Sequence, residues 1–87
     1  MQEIKQLILE GNTTEAIRRL NAYLEHTPSS DEAFYLLGNA YRKQGETRLA
    51  LTNYLAALEL NPDSPAQEAY NLLMKILDFY HKDLYNP

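Results

Sequence analysis

The residues most able to do chemistry are not spaced for catalysis or for metal binding. His26 and His81 are isolated, with no second ligand at metal-binding spacing. The acidic pair Asp31–Glu32 marks a helix N-terminus, where the helix dipole favours negative charge. No Ser–His–Asp set, phosphate-binding loop or metal motif occurs, and cysteine is absent. We therefore predict that the protein is not an enzyme and uses no cofactor or metal.

One set of polar side chains is spaced for binding. Glu32, Tyr35, Asn39 and Arg42 follow one another at intervals of three, four and three residues, so they share one face of a helix. This face lies about 100° from the apolar stripe of the same helix. It is either a ligand-binding surface or the solvated side that any soluble helix needs.

The composition indicates one small soluble domain. The 87 residues are 45% hydrophobic and 23% charged, and no apolar run approaches the length of a membrane span. No signal peptide is visible, so we expect a cytoplasmic location without membrane binding. The net charge of −4 argues against nucleic acid as the main partner. A remote alternative is nucleic-acid binding through a basic patch of Lys5, Arg42, Lys43 and Lys75.

Turn signals divide the chain into five segments with helical periodicity. The signals are Gly11–Asn12, Thr27–Pro28, Gly45 and Asn61–Pro62. They predict helices near residues 2–10, 13–26, 31–44, 47–60 and 65–82, joined by connections short enough to make successive helices antiparallel. No segment shows the alternation typical of a strand.

Three helix starts carry capping signals. Ser29 with Glu32 and Ser64 with Gln67 each have the spacing of a capping box, and Pro65 suits the first helical position. Asn12 and Glu15 have the same spacing at the start of the second helix.

The sequence repeats itself. Residues 10–28 match residues 44–62 without a gap at an offset of 34, so that Gly11 pairs with Gly45 and Ala16 with Ala50. Residues 32–41 recur as 68–77 at an offset of 36. The helices therefore alternate between two types, A (first, third and fifth) and B (second and fourth).

A helix pair with a 34-residue period resembles the tetratricopeptide repeat family. Residues 31–64 carry the large and small signature residues of that family in register: Phe34, Leu37, Gly38, Tyr41, Gly45, Ala50, Tyr54, Ala57 and Pro62. The resemblance implies an all-α fold, a right-handed superhelix of antiparallel helix pairs, with five helices in one domain, 1–87. A partial repeat (1–30) and a full repeat (31–64) would precede a C-terminal capping helix (65–87).

Gly38 is the residue least suited to a helix interior, where glycine costs about 1 kcal/mol relative to alanine. It shares a face with Phe34, Leu37 and Tyr41. We expect Gly38 to lie opposite small residues of the next helix and so to allow two helix backbones to approach closely. Met74 stands at the equivalent position of the fifth helix, which predicts that its far side meets solvent or another molecule.

The resemblance also implies a function, because A helices of this family line a concave groove that binds peptides or protein segments. The groove candidates are Lys5, Glu32, Tyr35, Asn39, Arg42, Asn71 and Lys75. A row of Lys5, Asn39 and Lys75 could donate hydrogen bonds to a carboxylate, which favours an acidic or C-terminal peptide. Some members clamp C-terminal carboxylates with a fixed cation set, but two of those positions on the fifth helix hold Glu68 and Leu72, so that clamp is not predicted.

The C-terminal segment suggests an alternative role in assembly. Its apolar and aromatic residues either cover the flank of the last helix or leave a surface through which the protein forms a homodimer or docks on further repeats. The candidate self-association residues are Met74, Phe79, Tyr80 and Tyr85.

Overall fold

The chain forms five α-helices, which a computed structural model describes over residues 1–85, with side chains described through residue 79. The helices are α1 (Gln2–Leu9), α2 (Thr13–His26), α3 (Asp31–Lys43), α4 (Thr47–Leu60) and α5 (Ala66–Tyr85). The predicted number and order of helices are confirmed, and the ends agree to within three residues. No helix among the described residues is both long and apolar enough to cross a membrane.

The helix starts differ in detail from the predicted capping boxes. Ser30, not Ser29, is the N-cap of α3, and its hydroxyl accepts a hydrogen bond from the backbone N–H of Ala33 at 3.1 Å. The turn after Pro28, closed by a bond from the N–H of Ser30 to the carbonyl of Thr27, includes Ser29 and leaves Ser30 as the residue next to the helix. Ser29 and Glu32 therefore do not form a capping box.

The capping signals predicted for the starts of α5 and α2 are each confirmed only in part. Ser64 caps α5 as predicted, because its buried hydroxyl accepts from the N–H of Ala66 at 3.1 Å, but the Gln67 side chain donates to Asn71 and does not reach back. Asn12 occupies the N-cap position of α2 without a side-chain hydrogen bond. Its expected partner Glu15 instead binds Arg18 and Arg19 at 2.7 and 2.8 Å.

Two glycines end A helices in the left-handed conformation that favours glycine. Gly11 follows α1 with φ of 84° and Gly45 follows α3 with φ of 81°. Their backbone N–H groups bond to the carbonyls of Ile8 and Arg42, which turns the chain directly into the next helix. The 34-residue repeat is thus a repeat of backbone geometry as well as of sequence.

The helices pack around two hydrophobic clusters that share α3. The first cluster joins α1, α2 and α3, with Leu20, Leu36 and Leu37 among its buried residues. The second joins α4 and α5 around Tyr54 and Leu73, and Phe34, Tyr35 and Tyr41 of α3 pack against both clusters. Since α3 contacts α1, α2 and α4, it is the central element of the fold.

Gly38 makes room for the Tyr54 ring, and this corrects the predicted reason for the glycine. A Cβ atom at position 38 would overlap Cδ1 and Cε1 of Tyr54 and would lie 3.0 Å from Cζ. Ala50 and Ala57 are fully buried on the same face of α4, as predicted, but the residue that Gly38 faces is the largest fully buried side chain. The glycine therefore accommodates an aromatic ring, where small residues were expected opposite it.

We expect Gly38→Ala to destabilise the protein by about 1 to 2 kcal/mol, because overpacking of the ring outweighs the gain in helix propensity. Urea unfolding followed by circular dichroism measures this loss. In a Tyr54→Leu background the added methyl group has space, so the same substitution should cost nothing or stabilise. An equal loss in both backgrounds would contradict the assigned contact between Gly38 and the ring.

Candidate functional site

A continuous groove runs along the A helices α1, α3 and α5. On the α1 side of α3, a cavity of about 370 Å³ is lined by Lys5, Ile8, Leu9, Tyr35, Leu36 and Asn39. On the α5 side, a cavity of about 280 Å³ is lined by Tyr35, Asn39, Arg42, Pro65, Glu68, Ala69 and Leu72. Because Tyr35 and Asn39 border both cavities, they form the centre of one surface.

Asn39 is held in position by the core. The Tyr54 hydroxyl, whose ring fills the space beside Gly38, donates a hydrogen bond to Oδ1 of Asn39 at 2.6 Å. Because this bond occupies the carbonyl oxygen of the amide, the orientation of the side chain is fixed. The NH₂ group is then the end of the amide that can donate to a ligand. A packing residue of α4 thus orients a polar residue of the groove.

Burial raises the pKa of Tyr54, and the positive charge of Arg42 opposes that effect. Arg42 lines the α5-side cavity together with Tyr35 and Asn39. Tyr35 completes this group, because its ring lies 6.1 Å from the Tyr54 ring at an angle of 37°. Tyr35 is half-buried, so part of its ring remains available to a ligand.

The cations near the groove differ in what they bind. Lys5 forms an ion pair with Glu32 at 3.4 Å, and Nζ of Lys43 donates to the carbonyl of Leu9 at 3.2 Å. Arg42 is exposed and forms no ion pair with any other described residue. Among the described residues, Arg42, unlike Lys5 and Lys43, is therefore a cation beside Asn39 with neither an ion-pair nor a side-chain hydrogen-bond partner.

The predicted α5 residues lie on its exposed surface. Lys75 is exposed, and Oδ1 of Asn71 accepts a hydrogen bond from Gln67 at 3.0 Å. Glu68 lines the cavity between α3 and α5. The proposed row across the groove thus combines a paired Lys5, an oriented Asn39 and an exposed Lys75, and its role in binding stays a prediction.

Apolar residues on both sides of the groove were not among the sequence-based candidates. Leu9, at the end of α1, is 71% exposed, and Leu72 on α5 is 52% exposed. In the repeat alignment, Leu9 corresponds to Lys43 at the offset of 34 residues, and Leu72 corresponds to Leu36 at the offset of 36. That alignment is the sequence signal that could have identified both leucines. Each is a leucine where solvation alone would favour a polar residue.

The tyrosines of the core are described in full, but the predicted self-association residues only in part. Tyr54 is fully buried, while Tyr41 and Tyr70 pack half-buried at the edges of the clusters, in keeping with core positions. Met74 and Phe79 are exposed on α5. The side chains of Tyr80 and Tyr85 lie outside the described residues. Within the described part of the chain, no three His, Asp or Glu side chains come together in a way that could hold a metal ion.

Comparison with known proteins identifies the repeat. The family profile described as "Tetratricopeptide repeat" matches residues 31–64. A Bacteroides fragilis protein known from a solution NMR structure is 51% identical, with a TM-score of 0.88, and the alignment covers 98% of this chain and 87% of that one. The five-helix architecture is therefore shared with an experimentally determined structure.

A second group of relatives is much larger. Cellulose synthase operon protein C of Escherichia coli, matched in two strains, is 33% identical over 66 residues. The match covers 76% of this chain but only 6% of the length of those proteins. The similarity is thus confined to a short segment of each.

We expect Tyr54→Phe to cost about 0.5 to 1.5 kcal/mol, because it removes the hydrogen bond to Asn39 while keeping the ring. Burial raises the folded-state pKa of Tyr54. The contribution of the protonated hydroxyl to the free energy of unfolding is therefore full below the unfolded-state pKa near 10, and it is lost as the pH rises through the folded-state pKa. Wild-type stability should therefore fall more steeply above pH ~10 than that of Tyr54→Phe.

Chemical denaturation between neutral and alkaline pH measures both effects. Tyr23→Phe, at an exposed tyrosine of α2, is the matched control and should follow the wild type. If the stabilities of Tyr23→Phe and Tyr54→Phe fell equally with pH above about 10, the buried hydroxyl would not be the cause of the alkaline loss of stability.

Proposed function

Because this chain belongs to the tetratricopeptide repeat family, we propose that it is a protein-interaction module that binds a peptide or protein segment in the groove of α1, α3 and α5. Repeats of this family generally mediate protein–protein interaction and are non-enzymatic modules. The proposal accordingly assigns the chain no catalytic role. The short match to cellulose synthase operon protein C supports a repeat module and does not carry a role in cellulose synthesis.

The continuity of the groove across Tyr35 and Asn39 is the observation that supports this proposal best. Both residues border cavities on the two sides of α3, so a ligand lying there would touch all three A helices. The surface combines an aromatic ring, an oriented amide and apolar side chains, which is the mixture that peptide recognition requires. Since the helices and the Tyr54 contact hold it in place, binding needs little reorganisation.

Self-association through α5 is the alternative that a specific observation favours. Leu72, Met74 and Ile76 are between 41% and 52% exposed on this last helix, although residues at equivalent repeat positions on α3 are buried. Met74 lies on the opposite side of α5 from Leu72 and the groove, and an exposed apolar side chain there, at the end of a repeat array, is suited to contact another copy or further repeats.

The groove proposal is tested by changing one of its exposed leucines. Leu9→Glu should abolish binding of peptides selected against the wild-type protein from a random displayed library, because it places a charge in the apolar side of the groove. Leu55→Glu is the matched control, since Leu55 is also an exposed leucine but lies on α4 outside the groove. Fluorescence anisotropy with the selected peptides gives the affinities.

Equal affinities for Leu9→Glu and Leu55→Glu would contradict binding in the groove, as would a selection that returns no peptide above background. Circular dichroism of both variants shows whether each remains folded. A helical Leu9→Glu protein that no longer binds supports the proposal.

The assembly alternative predicts a mass that rises with concentration. Light scattering over a wide concentration range should then show a transition from about 10.0 kDa to twice that mass. Met74→Glu should abolish the transition, whereas Arg48→Glu on α4 should leave it unchanged. A constant monomer mass for the wild type would rule out self-association through α5.

A further inference from the structure

We infer that the groove selects a segment in which a single acidic side chain, bound by Arg42, is flanked on both sides by apolar side chains. This inference rests on the proposed peptide-binding function and adds the chemistry of the partner. It is carried by the position of Arg42, the orientation of Asn39 and the two apolar borders of the groove.

Arg42 is placed to meet a ligand from either side of α3. It lines the cavity toward α5 with Glu68 and Leu72, and a cavity of about 390 Å³ toward α1 with Ile8, Leu9, Asn39 and Lys43. Among the described residues, Lys5, Arg18 and Arg19 each have a carboxylate partner, whereas Arg42 has none. A guanidinium free of an internal partner can form a bidentate pair with a carboxylate from another molecule.

Asn39 supplies a second donor to the same place. It lies three residues before Arg42, which puts both side chains on one face of α3. Because Oδ1 of Asn39 already accepts the Tyr54 hydroxyl, the amide can offer its NH₂ group to a ligand. Two hydrogen-bond donors on one face of α3, one of them cationic, favour a carboxylate over a cation or an amide.

Apolar surface borders this donor pair on both sides. Leu9 and Ile8 of α1 line the cavity on one side, and Leu72 of α5 lines the cavity on the other. Leu9 and Leu72 are more than half exposed, so each can lose water when an apolar side chain covers it. The acidic side chain of a bound segment would therefore have apolar neighbours in both directions.

The surrounding charges indicate one internal carboxylate rather than a chain terminus or an acidic run. Glu32 lines a cavity near the start of α3, and Glu68 shares the α5-side cavity with Arg42, so a second negative charge on the bound segment would be repelled. Arg42 borders a cavity toward α1 and a cavity toward α5. A segment that continues past Arg42 fills both cavities, whereas a segment that ends at Arg42 fills one of them. The family's C-terminal carboxylate clamp is also not matched, since Glu68 and Leu72 stand at two of its cation positions.

The test is an array of peptides with acetylated N-termini and amidated C-termini. Each peptide carries one Glu between two Leu, and the number of residues that separate Glu from each Leu varies across the array. Binding to the wild-type protein is compared with that of the same peptides carrying Gln for Glu or Ser for either Leu. We expect each single change to weaken the best peptide by about three- to tenfold. The Glu-dependent part should also fall as salt is raised to about 0.5 M.

The protein variants assign the effect to Arg42. Arg42→Gln should remove the preference for Glu over Gln, while Arg48→Gln, the same change at an exposed arginine of α4, should keep it. Equal binding of the Glu and Gln peptides to the wild type would overturn the inference. So would a Glu preference that persists in Arg42→Gln.

Two further arms separate the alternatives. A Gln peptide with a free C-terminus that binds better than its amidated Glu counterpart would show that the groove takes a chain terminus, and would overturn the internal carboxylate. Peptides that bind wild type and Leu55→Glu but not Leu9→Glu, with no Glu preference, would refute this inference and leave the groove function intact. If no array or library peptide bound in a Leu9-dependent way, both proposals would fail.

Discussion

The contact between Gly38 and the Tyr54 ring is the constraint on which the rest of the structure depends. It joins α3, the helix shared by both hydrophobic clusters, to α4, and it allows the largest fully buried side chain to lie directly against a helix backbone. Protein interiors are close-packed, so a ring in that position leaves no room for a Cβ atom. The unfavourable helix propensity of glycine is thus offset by dense packing between the two helices.

This contact also has consequences for the groove. The ring that fills the space beside Gly38 carries the hydroxyl that binds Asn39, and Asn39 lies between the two main cavities. A hydrogen bond from a buried, well-packed ring holds its partner more firmly than one from a mobile surface side chain would. The packing core and the candidate binding surface are therefore not independent, since one side chain belongs to both.

The two ends of the helical array are less constrained than its centre. At the N-terminal end, α1 is short and packs through Ile4, Leu7 and Ile8, with Lys43 bonding to its last carbonyl. At the C-terminal end, α5 buries Leu73 and Ala66 against α4 but exposes Leu72, Met74 and Ile76. In a repeat protein each unit is stabilised mainly by its neighbours, so these exposed residues follow from the absence of a further helix among the described residues to cover α5.

The sequence by itself determined the helices, their order and their repeat. Local signals account for this, because glycines at the A-helix ends, prolines in the connections and the spacing of apolar residues act within one or two helical turns. The same reasoning erred at Ser29, because the turn after Pro28 makes Ser30 the N-cap, a detail that depends on backbone geometry. It also named Gly38 as important without finding which side chain needs the space.

Only the tertiary structure decided which polar residues are engaged and which are available. From the sequence, Lys5, Asn39 and Arg42 are equal candidates for the groove. In the structure, Lys5 forms an ion pair with Glu32, and the amide oxygen of Asn39 accepts a hydrogen bond from Tyr54. Arg42 has no ion-pair partner among the described residues. These differences arise from contacts between helices, because Asn39 is bound by Tyr54, 15 residues further along the chain, and Lys5 of α1 pairs with Glu32 of α3. Periodicity assigns a side chain to a face of its own helix, but the neighbouring helices determine what that face meets.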